Sequence, residues 1–253
     1  MNKIIRGRNA NNKKVKTLFI AQVVLGVMPV LLLILFVWKK MYQTPIVGTV
    51  FIILIFLCNL AYAFLARWYA VLHSGVKGER RLFRTVKKLH GTNIVFHNLP
   101  VRYKRGRSEL DMLIVCHAGV LIIEVKNHSG TISGSWRDDK WTQRKHYRDG
   151  KVTETMMDNP IKQMRRQRDI VKSILTAAGE NVWIDSVLYF SSPNAKLKIS
   201  LRESDYVCCE SAELLEFLKA TTAEKRFPRA AWSISRRYSG KVQGYETAAC
   251  CLT

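Results

Sequence analysis

Leu110-Asp111-Met112-Leu113-Ile114-Val115-Cys116, then His117-Ala118-Gly119, then Val120-Leu121-Ile122-Ile123-Glu124-Val125-Lys126-Asn127 is the stretch that decides the fold. Two apolar, β-branched runs flank a three-residue break, and that spacing predicts antiparallel strands joined by a tight turn. Strand side chains alternate faces, so Glu124 and Lys126 project together while Leu121, Ile123 and Val125 project to the other side. A strand that reads as buried therefore ends in a carboxylate and an amine. Asp111 is an acid within the preceding apolar run, where an unpaired charge is costly. A divalent cation between Asp111 and Glu124 would compensate it, because hard ions such as Mg²⁺ use one or two carboxylates plus waters and phosphate oxygens. Lys126 would then stand ready to position the attacking water.

Upstream of this hairpin, Leu82, Phe83, Val86 and Leu89 recur at three- and four-residue spacing, which predicts an amphipathic helix over 79–89 with Glu79 in its first turn. A first-turn acid also complements the positive end of a helix dipole, the plainer account of Glu79. Gly91-Thr92-Asn93 is a turn before a short strand at 94–97, and 101–108 reads as a basic loop or strand end. Its Arg102, Lys104, Arg105 and Arg107 form a patch suited to phosphates. Downstream, Asn159-Pro160 opens a helix that carries Gln163, Arg166, Gln167 and Ile170. The basic residues Lys162, Arg165, Arg166, Arg168 and Lys172 on it are ordinarily a solvated face, but beside a metal site they would neutralise phosphates. Further strands are expected at 182–190 and 205–209, and a capped helix at 211–220. Residues 227–253 give no reading.

The N-terminal quarter is of another kind. Residues 17–38 carry no charge and exceed the ~20 residues that cross a bilayer core, ending at Trp38-Lys39-Lys40, an aromatic and basic interface anchor. A signal peptide would have a shorter apolar region followed by a small-residue cleavage site. A second uncharged run, 46–66, follows a connector (41–45) that has room only for a turn, so the two form a transmembrane α-hairpin. Lys3, Arg6, Arg8, Lys13, Lys14 and Lys16 precede the hairpin and Arg67, Lys77, Arg80 and Arg81 follow it, against Lys39 and Lys40 in the connector. That bias predicts a multi-pass protein of the bacterial inner membrane with both termini and the soluble domain cytoplasmic. The expected organisation is a basic N-terminus (1–16), the hairpin (17–66), a juxtamembrane linker (67–74), one globular domain (75–226) and a C-terminal tail (227–253).

A chain of 253 residues with formal charge +22 and pI near 10.0 attracts polyanions, either nucleic acid or anionic lipid headgroups. The six cysteines show no paired zinc-ligand spacing, which argues against a zinc site or a disulfide scaffold. The histidines show no ligand spacing either. Cys250-Cys251-Leu252-Thr253 formally matches a prenylation box, a pattern short enough to arise by chance.

Taken in order, Gly78-Glu79, Leu110-Asp111, Glu124-Val125-Lys126-Asn127, Gly130-Thr131-Ile132-Ser133-Gly134, Trp141 and Asn159-Pro160-Ile161-Lys162-Gln163 resemble the nuclease-related domain, a branch of the PD-(D/E)xK nuclease superfamily. The resemblance covers roughly residues 75–175. It implies an α/β, restriction-endonuclease-like mixed β-sheet core flanked by helices. It also implies site roles: Asp111 and Glu124 binding Mg²⁺ or Mn²⁺, Lys126 assisting the nucleophilic water, and Glu79 and Gln163 supporting them. Leu110 stands where the superfamily's name motif often has proline. Two function classes follow. One is a metal-dependent nuclease acting on DNA in preference to RNA, with Arg102, Lys104, Arg105, Arg107 and Arg166 on the backbone. The other is a non-catalytic, membrane-tethered module of the same fold that binds nucleic acid or a partner protein, whose binding would survive metal removal.

Overall fold

The computed structural model describes residues 3–6, 10–223 and 246–247; the Cys250-Cys251-Leu252-Thr253 box and most of the tail lie outside them. The chain divides into two compact units, Asn9–Val76 on the one hand and Met1–Arg8 with Lys77–Thr253 on the other.

The first unit is built from α1 (Ala10–Trp38), a 3₁₀ turn at Met41–Gln43 and the greater part of α2 (Pro45–Val86). Both helices are long and apolar enough to cross a membrane, and their apolar windows are not buried within the protein. Sequence reading divides 46–89 into a span, a linker and a separate helix. The structure has instead one helix of 42 residues, because nothing between the apolar run and Val86 stops it: there is no proline, and Gly75 and Gly78 are tolerated singly. Glu79 consequently lies deep inside a helix rather than in a first turn, so the dipole account of this acid fails.

The second unit holds two mixed sheets flanked by helices. In the seven-stranded sheet the order is β10 (Tyr206–Cys208), β8 (Ile184–Phe190), β4 (Gly119–Lys126), β3 (Gly106–Cys116), β2 (Ile94–Tyr103), β1 (Lys3–Arg6) and β11 (Glu246–Thr247). The central hairpin is as expected: β3 and β4 are antiparallel, with Cys116 opposite Gly119. Met112, Ile114, Leu121 and Ile123 pack with Leu82 and Val86 of α2 and with Leu214 and Leu218 of α4 (Ser211–Ala223). Leu113, Val115, Val120 and Ile122 pack on Ile170, Val171 and Leu175 of α3 (Pro160–Ala177). Burying each such side chain stabilises by roughly 1.5–3 kcal/mol, which fixes the hairpin's register between its two helical layers.

β2 and β3 are longer than expected and form one hairpin closed by Lys104 and Arg105, so the basic segment 101–108 is two strand ends and their turn. Pairing steps from His97↔Met112 to Leu99↔Leu110, leaving Asn98 and Asp111 out of the ladder. Asn98 takes φ 54°, and Leu110 packs in the α3-facing cluster while Met112 packs in the other. Face alternation therefore breaks at Asp111, and the sheet bends there.

The second sheet has the order β7 (Val152–Asp158), β6 (Lys140–His146), β5 (Gly130–Ser135), β9 (Ala195–Ser200). Its Ile132 and Trp141 pack with Ile161, Met164, Leu188 and Phe190. A Cβ at Gly134 would stand 2.3 Å from Trp141 Cδ1, so only glycine lets the fully buried indole lie against this strand.

β1, which no sequence signal marks as a strand, precedes α1 in the chain yet runs parallel to β2, with Lys3↔Ile94 through Arg6↔His97. Ile5 is 2% exposed in the α3-side core and Ile4 packs on the opposite face, so β1 is packed on both sides.

Candidate active site

Glu124 sits near the end of β4, 2% exposed, and both of its carboxylate oxygens accept hydrogen bonds. Its Oε1 accepts from Lys126 Nζ at 2.8 Å and from Gln163 Nε2 at 2.7 Å, and its Oε2 accepts from Gln167 Nε2 at 2.7 Å. Lys126 Nζ also donates to Gln163 Oε1 at 2.9 Å. The two-residue alternation of the strand aims Glu124 and Lys126 at α3, and successive turns of that helix present Gln163 and Gln167 to them.

Asp111, across the sheet from Glu124, accepts a hydrogen bond from Val125 N at Oδ2 (2.8 Å), and its Oδ1 takes none from the described residues. Burial pushes its carboxyl well above the usual carboxylate range. The neighbouring charge of Glu124 pushes in the same direction and Glu79 adds to it, while the Val125 N–H and Lys126 oppose. Glu79 reaches this centre from α2: its Oε2 accepts from Asn98 Nδ2 at 3.4 Å and lies 3.9 Å from His97 Nε2. All five residues expected from the sequence thus converge on the bend at Asp111.

The approach of α2 depends on Gly78, where a Cβ would meet Ser191 Oγ at 2.8 Å and Asn127 Cβ at 2.9 Å. Arg81, one turn on, donates to Ser191 O (2.7 Å) and Asn127 Oδ1 (3.3 Å), tying the same helix to the ends of β4 and β8. On the other side Asn159 positions α3. Its Oδ1 accepts from Ile161 N at 2.9 Å as an N-cap, and its Nδ2 donates to the carbonyls of Asp138 (2.7 Å) and Ser135 (3.1 Å). Pro160 occupies the first helical position, where its missing N–H costs nothing.

Asp111 has an open oxygen beside Glu124, and a hard divalent ion there would offset the burial and like charge that keep its carboxyl protonated. Among the described residues no group of three His, Cys, Asp or Glu side chains is arranged to hold an ion together, so the remaining ligands would be water and phosphate oxygens. Glu124 Oε2, with a single hydrogen bond, retains a lone pair for such an ion.

The basic residues gather at the β2–β3 hairpin. Arg102 and Arg107 stand directly opposite each other, a like-charge pair that weakens a sheet unless an anion lies against it. The hairpin tip and α3 enclose a groove of about 600 Å³ lined by Tyr103, Lys104, Arg105, Lys162, Arg165 and Arg166. Arg165 is engaged elsewhere, paired with Asp205 and set against the Trp136 ring, whereas Arg166 is exposed.

Sequence reasoning undervalued Gln167 and did not assign Asn98 or His97 to the site. The repeat of glutamine four residues apart beside a buried stripe is the signal that marks Gln167; Asn98 is marked by nothing local. His128, half-buried just past Lys126, is held neutral by burial first and by Lys126 next.

Helix-flanked mixed sheets with an Asp, Glu and Lys on the central hairpin define a nuclease-like α/β fold. Residues 74–191, a little under half of the chain, match the family model described as the nuclease-related domain, and the chain carries that domain. An uncharacterized protein of Bacillus anthracis is 34% identical over 71 residues, 27% of this chain and 34% of that protein. The chain thus spans about a third of the length of that curated relative. No solved structure matches the chain with significance. β1 lies outside the matched span.

Proposed function

We propose that the protein is a membrane-anchored, Mg²⁺- or Mn²⁺-dependent phosphodiesterase that hydrolyses nucleic acid, DNA in preference to RNA, at the cytoplasmic face of the bacterial inner membrane. The observation that carries this reading is the Asp111–Glu124 pair, two adjoining carboxylates in which burial first, and the charge of Glu124 next, hold the Asp111 carboxyl above its usual range, a penalty that a cation between them would relieve. Asp111 Oδ1 and Glu124 Oε2 are the atoms that would hold the ion. A bound divalent ion polarises a phosphate oxygen and lowers the pKa of a coordinated water. Gln163 and Gln167 hold Glu124 in one orientation, so its ligating oxygen is in place before substrate arrives. The Lys126 ammonium, fixed between Glu124 and Gln163, orients the attacking water and offsets negative charge as it develops on the phosphate. Glu79 adds negative charge that would favour a cation at this centre, and Arg102, Lys104, Arg105, Arg107 and Arg166 neutralise the flanking backbone.

The membrane part of the reading rests on two long apolar helices and on the basic residues on either side of them. Pairing of β1 with β2 bears on orientation: if the helices cross a bilayer, a strand before them and a strand after them that share one sheet must lie on the same side. A second reading, a non-catalytic binding module, is favoured by the three hydrogen bonds that already occupy Glu124.

The deciding experiment is a nuclease assay of the full chain in detergent with Mg²⁺, Mn²⁺ or EDTA, alongside Lys126→Ala and Glu124→Gln. Metal-dependent cleavage lost in both variants supports the phosphodiesterase. Binding of DNA in EDTA with no cleavage under any metal supports the module.

A further inference from the structure

The sequence Tyr103-Lys104-Arg105-Gly106-Arg107 at the tip of the β2–β3 hairpin recurs in kind as Tyr147-Arg148-Asp149-Gly150-Lys151 at the tip of the β6–β7 hairpin, in the other sheet. Each is a tyrosine followed by a cation, a turn residue, a glycine and a second cation. The second tip is closed by Tyr147 N donating to Lys151 O (2.8 Å), and Asp149 Oδ1 accepts from Lys151 N (3.1 Å), so the acid is committed to the turn. Arg148 and Lys151 are exposed and belong to no ion pair among the described residues, and Tyr147 is 49% exposed. Lys145 and His146 add to the same end of the hairpin.

We infer that the β6–β7 tip is a second nucleic-acid contact, in which Arg148 and Lys151 grip phosphates and Tyr147 stacks on a base or sugar. This rests on the nucleic-acid reading above and extends it to a surface far along the chain from the groove residues. Cations interleaved with an exposed aromatic are the combination that holds a polynucleotide, the cations through counterion release and the ring through stacking. Chain connectivity brings the bases of both hairpins to the catalytic centre. β3 runs from its tip into Asp111, and β7 ends at Asp158, immediately before the Asn159 cap of the helix whose Gln163 holds Glu124. The seven residues of β6 span about 23 Å at ~3.3 Å each, so the second tip engages the strand on the order of seven nucleotides from the reacting phosphate.

The test is fluorescence anisotropy of the full chain in detergent with EDTA, using DNA of 30 and of 5 nucleotides, single-stranded and duplex, over a range of salt. Tyr147→Ala/Arg148→Ala/Lys151→Ala should weaken binding of the long DNA tenfold or more at ~100 mM salt and lower the salt slope by roughly two, as two phosphate contacts require. Tyr147→Ala alone should weaken binding about fivefold or more with the slope unchanged. On the 5-mer the triple variant should match wild type, and Lys219→Ala, an exposed lysine elsewhere, controls for net charge. A triple variant indistinguishable from wild type on long DNA, or one that loses 5-mer binding equally, overturns the inference while leaving the nucleic-acid reading in place. Failure of the wild type to bind any DNA overturns both.

Discussion

Asp111 is where the energetics of the centre are most exposed. Its pKa is raised in the folded protein, so between the ordinary aspartate value (~3.9) and the native value the folded state holds a proton that the unfolded chain has lost. Stability contributed at this residue therefore falls as pH rises through that window, and the ionised carboxylate is a standing penalty above it. Asp111→Asn should melt at or above wild type at pH 7 in EDTA, by up to a few degrees, and the advantage should shrink as pH is lowered towards ~4. Mg²⁺ should raise the wild-type melting temperature and leave the variant unmoved. A variant badly destabilised at neutral pH would mean that Asp111 is half of a structural ion pair, because removing one partner strands the other. Gln167 makes the complementary case. It is fully buried and donates to Glu124 Oε2, so Gln167→Leu leaves a buried carboxylate oxygen without a donor and should cost ~1–3 kcal/mol in a denaturant melt. Calorimetric Mn²⁺ affinity should fall as well, since Glu124 loses its orientation; unchanged stability and affinity would show that Gln167 merely fills space.

At the level of elements, the organising device is the capped start of α3. Asn159 caps the helix and holds carbonyls of the β5–β6 turn, thereby joining the second sheet to the helix that carries both glutamines. Asn159→Ala should cost ~1–2 kcal/mol from the lost cap alone. It should also loosen Gln163, which would appear as faster hydrogen exchange at the amides of residues 161–163; a melt and exchange pattern equal to wild type would refute this role. Such links explain what was readable. The central hairpin was legible because apolar residues are dense there and burial on both faces leaves one register. The motif around Asn159 was legible because capping chemistry is local. The extent of β2 was not, since His97 and Asn98 interrupt the apolar run, and Asn98 takes a positive φ while its side chain donates to Glu79, a residue of α2 that is distant in the sequence. In the second sheet β9 carries a legible alternation, with Lys196 and Lys198 outward and Leu197 and Ile199 inward, whereas β7 carries none, since Glu154, Thr155 and Met156 are exposed in succession. The boundary between span and domain was drawn where hydropathy drops, but helical structure persists wherever nothing breaks it, so α2 runs on to Val86.

For the molecule as a whole, the consequential feature is that its first strand and the rest of its sheet are separated by the two apolar helices. β1 contributes Ile4 and Ile5 to opposite core clusters and covers the β2 edge from Ile94 to His97, the residue next to Asn98. An uncovered edge leaves backbone donors and acceptors unpaired, and the loss would be felt one residue from the contact that holds Glu79. Ile5→Asp in the full chain should therefore destabilise the sheet-bearing unit by ~2–4 kcal/mol, because a charge enters a site that is 2% exposed. Amide exchange at residues 94–97 should rise, with the two apolar helices still retained in the membrane fraction. The same pairing constrains topology under the proposed membrane reading: if the two helices cross a bilayer, residues 3–6 can reach β2 only from the side that holds residues 77–223. Cysteines introduced as Lys3→Cys and Lys172→Cys, each read against the wild-type chain with its own thiols, report on the two ends of that constraint. With a membrane-impermeant thiol reagent, both should be shielded in intact cells and labelled together once the membrane is opened. Labelling of Lys3→Cys from outside while Lys172→Cys stays shielded would place β1 across the membrane from its partner strand and refute the sheet as drawn.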